Sequence, residues 1–124
     1  MTPVLRYVLD ENLRGVLWHA IQQHNNQSAF PFDVVRVGDP PDLPQGSADP
    51  DILIWAEREG RILVSLDKKT LSGHLAQHLQ QGHHSPGIFI MIPSSTLPAI
   101  PDYLMHAAYA GDPLDYADGI RFIP

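Results

Sequence analysis

Apolar and polar positions along the chain change period several times, and each change marks an element. Leu5 to Leu9 is a short, β-rich apolar run that halts at Asp10, the pattern of a buried strand. From Leu13 the spacing turns helical: Leu13, Val16, Leu17, Ala20 and Ile21 share a face, so an amphipathic helix is expected to about His24. Asn25 to Pro31 is turn-like, and Asp33 to Val37 reads as a second strand. Gly38 to Pro50 contains Pro40, Pro41, Pro44 and Pro50 together with Gly38 and Gly46, a loop stiffened by proline. It ends in a helix-start signal, with Asp49 as N-cap and Pro50 at the first helical position. That helix runs through Ile52, Leu53 and Ala56 and stops at Gly60. Arg61 to Leu66 is a third strand that stops at Asp67, and Leu71, Leu75 and Leu79 mark another helix ended by Gly82. Gly87 to Ile92 is apolar throughout, like a central parallel strand. A helix near Pro101 to Ala110 stops at Gly111, and Ile120 to Ile123 closes the chain as a last strand.

Strand and helix therefore alternate five strands deep. The fold class this implies is α/β: a three-layer α/β/α sandwich whose central sheet has about five mostly parallel strands, joined by right-handed crossovers. The 124 residues fit a single domain spanning 1–124. In such sheets, sites form beyond the carboxyl ends of the strands.

Composition narrows the chemistry. Apolar residues make up 44%, as in a globular protein. There is no cysteine, which excludes disulfides, zinc–thiolate sites, iron–sulfur clusters and thiol nucleophiles, and is at home in the cytoplasm. Fourteen acidic residues (Asp+Glu 14) against 8 basic ones give a formal charge of −6. A protein that coats nucleic-acid backbones non-specifically is basic; a nucleic-acid enzyme can still be acidic if its carboxylates gather where a cation covers them. No apolar run approaches the ~20 residues of a membrane span, and Asp10 and Glu11 interrupt the apolar stretch near the N-terminus, so no signal peptide is expected. Neither G-x-x-x-x-G-K-[ST] nor G-x-G-x-x-G occurs, so nucleotide cofactors have no support.

The carboxylates at strand ends are the main chemical candidates. Asp10 follows the first strand and Asp67 the third, while Asp49 and Asp51 open the helix that feeds the third strand. Carboxylates converging at one sheet edge repel one another and stay ionised cheaply only beside a cation. Hard oxygen ligands without thiolates suit Mg²⁺ or Mn²⁺. Asn12 can add an amide oxygen or orient a ligand. Each acid also has a plain structural reading: Asp49 as an N-cap, Asp51 as a first-turn acid favoured by the helix dipole, Asp10 and Asp67 as strand terminators. Together, at matching strand ends, Asp10 and Asp67 favour a functional reading.

V-L-D-E-N-L at 8–13 and R-I-L-V-S-L-D-K-K-T at 61–70 resemble motifs of the PIN-domain nuclease superfamily, best known from VapC-like toxins. The linking D-P-D-I-L-I-W-A at 49–56 and the closing I-R-F-I-P look like a short PIN-like branch usually labelled only as a domain of unknown function. The resemblance runs nearly end to end. It implies a PIN-like fold and an endoribonuclease using Mg²⁺ or Mn²⁺. Residue by residue, it places Asp10 as the first-strand aspartate, Asn12 as the polar residue two places on, Asp51 or less securely Asp49 as the helical acid, and Ser65 and Asp67 as the Ser/Thr-x-Asp at the third strand end. In this reading Asp10, Asp51 and Asp67 hold the metal, Ser65 or Asn12 positions a ligand or water, and Arg14, Lys68 and Lys69 contact substrate phosphate. The resemblance also implies a role as the toxin of a toxin–antitoxin pair, with RNA as substrate, a small antitoxin partner and a homodimer. One departure stands out: where many PIN domains carry a further acid two residues after the third-strand aspartate, this chain has Lys69. Lys69 favours the alternative of a catalytically degraded module that binds a protein or RNA partner. A receiver-type phosphoacceptor domain ranks lower, because the last strand supplies no lysine.

His74 and His78 share a helical face at metal-ligand spacing, with His83 and His84 close behind, but H-L-A-Q-H lacks the glutamate of H-E-x-x-H. A solvated polar face opposite Leu71, Leu75 and Leu79 is the expected arrangement, with His74 near enough to Asp67 to reach a substrate cleft. Trp18 and Trp55 read as packing or partner-facing residues, and Tyr103, Met105 and Tyr109 as core or interface.

Overall fold

A computed structural model describes residues 2–13, 15–92 and 98–124. Its elements are β1 (Tyr7–Leu9), a 3-10 turn (Glu11–Leu13), α1 (Val16–Gln27), β2 (Val34–Arg36), α2 (Asp49–Glu59), β3 (Ile62–Ser65), α3 (Lys68–Gln80), β4 (Ile88–Met91), α4 (Ala99–Ala110), α5 (Pro113–Tyr116) and β5 (Ile120–Ile123). The five strands form one sheet in the order β2-β1-β3-β4-β5, parallel at every pairing. The period-2 geometry of a strand sends alternate side chains to opposite faces. Tyr7, Leu9, Ile62, Val64 and Phe89 enter one core with Leu17 and Ile21 of α1 and Ile100, Leu104 and Ala108 of α4. Val8, Leu63, Ile88 and Ile90 enter the other with Ile52, Leu53 and Ala56 of α2 and Leu71 and Leu75 of α3. The result is a three-layer α/β/α sandwich with two long helices on each face.

Two local expectations change. Asp49 is not the N-cap of α2: Ala48 occupies that position in extended conformation, and Asp49 and Pro50 are the first two helical residues. Gly60 ends α2 as expected, at φ 69° in the left-handed region where glycine carries no Cβ penalty. The short α5 was not anticipated. Asp112 caps it by accepting from the Leu114 N–H at 3.0 Å, and Pro113 fits its first turn.

The crossovers are not all of one hand. From β1 the chain steps one way across the sheet to β2, then the other way through β3, β4 and β5. α2 and α3 lie on the face opposite α1, as a constant hand requires, but α4 shares the face of α1. The β4–α4–β5 connection therefore has the hand opposite to the other three, against the strong general preference. Layer packing supplies the reason: without α4, a five-stranded sheet would have only α1 over one of its apolar faces. The move leaves the far half of β5 thinly covered on the α2/α3 side: Ile120 still packs against that core, but Phe122 is 51% exposed and Lys68 stands over its ring, Nζ 5.6 Å from the centroid.

Candidate functional site

The strand order reverses between β1 and β3. The helices that follow these strands, α1 and α3, leave toward opposite faces, the topology at which sites form past the carboxyl ends of such sheets. Asp10 and Asp67 stand there. The Asp10 N–H extends the β1–β3 ladder to the Val64 carbonyl at 2.9 Å. Asp10 Oδ1 accepts from the Glu11 N–H at 2.7 Å, and Oδ2 accepts from the Ser65 hydroxyl at 2.8 Å. Ser65 is completely buried, and its Oγ in turn accepts from the Asp67 N–H at 3.0 Å. One hydroxyl thus ties the two strand-end acids together.

Asp67 is the N-cap of α3. Its Oδ1 accepts from the Thr70 N–H at 3.1 Å and its Oδ2 from the Thr70 hydroxyl. The Thr70 hydroxyl and then its N–H hold the Asp67 carboxyl below its ordinary range, with smaller help from the Lys69 N–H and the charge of His74. His74, in the second turn of α3, places Nδ1 3.1 Å from Asp49 Oδ2. A polar string therefore runs Asp10, Ser65, Asp67 along the carboxyl edge of the sheet, with the His74–Asp49 pair beside it. Its coordinating atoms suit a hard cation: carboxylate and hydroxyl oxygens, with no lysine or arginine ion-paired to Asp10 or Asp67 among the described residues.

The remaining expected site residues are not drawn into this string. Asp51 is exposed in the first turn of α2, with no hydrogen bond or ion pair to the other acids among the described residues; the helical acid in contact is Asp49. Asn12 and Lys69 are exposed, and Lys68 leans toward Phe122 instead of the acids. Arg14 lies outside the described residues. Among the described residues, no three of the expected acids have ligand atoms within 4.8 Å of one another.

A second polar cluster forms at the amino edge of the sheet, and here the expectation of a solvated histidine face fails. His78 is buried, 4% exposed, because α2 packs against this side of α3 and brings Glu57 to it. Glu57 Oε1 lies 3.1 Å from His78 Nε2 and 3.0 Å from His83 Nδ1, and the two imidazoles stack with centroids 4.7 Å apart. The His84 N–H donates to Glu57 Oε2 at 3.0 Å and is the main reason the Glu57 carboxyl is held below its ordinary range. Asp118, at φ 61°, accepts from the Ser85 N–H at 2.8 Å and pairs with His84 Nδ1 at 3.0 Å. The missing signal was Glu57, which lies on another helix, far from any H-E-x-x-H pattern. The aromatic readings hold for packing: Trp55 is buried with Nε1 donating to Asp42 at 3.0 Å, and Trp18 packs at the core margin under Arg36.

No helix is long and apolar enough to cross a membrane among the described residues. No protein-family model, curated protein or solved structure matches this chain significantly.

Proposed function

We propose that this chain is a metal-dependent ribonuclease that hydrolyses RNA phosphodiester bonds at the carboxyl edge of its sheet. The observation that carries the reading is the Ser65 hydroxyl bridging Asp10 and Asp67 at the point where strand order reverses. These residues fall in the order and spacing by which the chain resembles PIN-domain nucleases. Asp10 and Asp67, with Asp49 or Asp51 from α2, are the residues to hold Mg²⁺ or Mn²⁺. The chemistry that such an ion supplies is activation of water and neutralisation of charge developing on the phosphate oxygens. Ser65 ties the Asp10 carboxylate to the main chain of Asp67. This reading assigns substrate-phosphate contact to His74, which pairs with Asp49, and, from the sequence alone, to Arg14, Lys68 and Lys69. The toxin role, with a small antitoxin over the site and a homodimer, rests on the resemblance alone.

The second reading is a degraded PIN-like module that binds a protein or RNA partner. Lys69 in place of an acid and the outward position of Asp51 favour it. Cleavage of a labelled single-stranded RNA, with Mn²⁺, with EDTA and with Asp67→Asn, separates the two. Cleavage that needs both Mn²⁺ and Asp67 supports the nuclease. A folded, partner-free protein that leaves the RNA intact supports the binding module.

A further inference from the structure

We infer that Glu57, His78 and His83 form a binding site for a divalent transition-metal ion, zinc by the chemistry of its donors, at the amino edge of the sheet. Their ligand atoms, Glu57 Oε1, His78 Nε2 and His83 Nδ1, all lie within 4.8 Å of one another, and both nitrogens focus on the same carboxylate oxygen at 3.1 and 3.0 Å. In a tetrahedral site with bonds of ~2.0–2.1 Å, neighbouring donors stand ~3.3 Å apart, so each nitrogen–oxygen separation is within a few tenths of an ångström of that required. Two imidazoles and one carboxylate are the borderline set that selects zinc over magnesium or calcium.

The surroundings already orient these ligands. The His84 N–H holds Glu57 Oε2 and leaves Oε1 aimed at the two rings. The His83 N–H donates to the His78 carbonyl at 3.2 Å, fixing the turn that carries the third ligand. The turn is anchored again by Asp118 through the His84 ring and the Ser85 N–H. Partners of this kind around metal ligands fix ring and carboxylate orientation. Loading places the proton of the His78 ring on Nδ1, and Nε2 gives up its 2.8 Å contact with the His84 carbonyl. Three protein donors leave a fourth position, and His83, 40% exposed at its side chain, opens it to water. The ion clasps the end of α2 to the turn between α3 and β4.

The test is calorimetric titration of the chelator-stripped protein with Zn²⁺, repeated on His83→Ala, Glu57→Gln and, as a control, the exposed His19→Ala. His83 and Glu57 are not core residues, so both variants are expected to fold, and far-ultraviolet circular dichroism checks this. One equivalent of Zn²⁺ per chain is expected, with affinity reduced more than about tenfold in both site variants and unchanged in the control. Cobalt substitution should give the visible bands of a four-coordinate site in wild type and lose them in His83→Ala. Absence of stoichiometric Zn²⁺ binding, or equal binding by all four proteins, would overturn the assignment.

Discussion

At the carboxyl edge of the sheet the facing donors are mainly oxygens, from Asp10, Ser65, Asp67 and Asp49, with a single imidazole, His74, paired to Asp49. At the amino edge two stacked imidazoles share one carboxylate oxygen, from Glu57. The same pair of helices, α2 and α3, serves both, first with its amino-terminal residues and then with its carboxyl-terminal ones. His74 of the first cluster and His78 of the second lie one helical turn apart on α3, ~6 Å along its axis, while Asp67 at its start and His83 beyond its end are separated by its whole length. The difference teaches how the sheet assigns chemistry. Asp10 and Asp67, at strand end and helix start, are held by N–H groups and hydroxyls. Histidines near helix ends pack against a neighbouring helix and need a carboxylate from it.

The sharpest way to break this comparison is to remove one acid from the carboxyl edge. Asp67→Asn keeps the N-cap of α3, since asparagine caps as well as aspartate, so the fold should persist while cleavage falls by about 100-fold or more. A gel assay beside a thermal melt checks both halves. If cleavage persists in Asp67→Asn and Asp10→Asn alike, the carboxyl edge is not the site.

Exchanging the probes tests whether the edges are independent. His83→Ala should abolish stoichiometric Zn²⁺ binding while Mn²⁺-dependent RNA cleavage stays within about twofold of wild type, because among the described residues His83 shares no hydrogen bond or ion pair with Asp10, Ser65, Asp67, His74 or Asp49. A parallel loss of both activities would mean that the two edges are coupled through α3.

Ser65→Ala sharpens the contrast from the structural side. It removes a fully buried hydroxyl that donates to Asp10 and accepts from Asp67, so stability should fall by about 1–3 kcal/mol in urea titration. Cleavage should weaken with it as the two acids lose their common anchor.

The smallest expected effect is a pH dependence with opposite signs. His84 is raised above its ordinary value of 6.5, first by its hydrogen bond to Asp118. Its contribution is therefore present in full below that value and is lost as pH rises through the raised one. Asp67, Glu57 and Asp118 are lowered, so theirs is present above the ordinary carboxyl range and is lost as pH falls through the lowered values. Thermal melts from about pH 2 to 9 should show a slight alkaline loss that His84→Gln flattens, and the variant should also weaken the acid limb slightly, because the His84 ring helps hold the Asp118 carboxyl low.

Sequence periodicity located all five strands and four of the helices, because each apolar run is bounded by a polar or glycine stop. Ile120 to Ile123 and the stops at Gly60 and Gly111 match the structure. The pairing of Asp10 with Asp67 was legible because a parallel sheet brings successive strand ends to one edge. The Ser65 bridge was not legible, because it depends on the strand register that sets Leu9 opposite Val64 and so Asp10 beside Ser65. The histidine cluster was not legible, because its carboxylate lies on α2 and only helix packing brings Glu57 to His78. The face taken by α4 was equally hidden: its apolar pattern says that it is buried, not against which side.

The reversed hand of that last crossover has a consequence for how the molecule breathes. β5 is an edge strand, bonded to β4 alone and thinly covered on one face at Phe122. β3, by contrast, is bonded on both sides and covered on both. Segments with few apolar contacts open at a fraction of the global unfolding free energy. In native-state hydrogen exchange, the backbone amides of β5 should therefore exchange through local opening, well ahead of β3, whose protection should follow the stability of the whole domain.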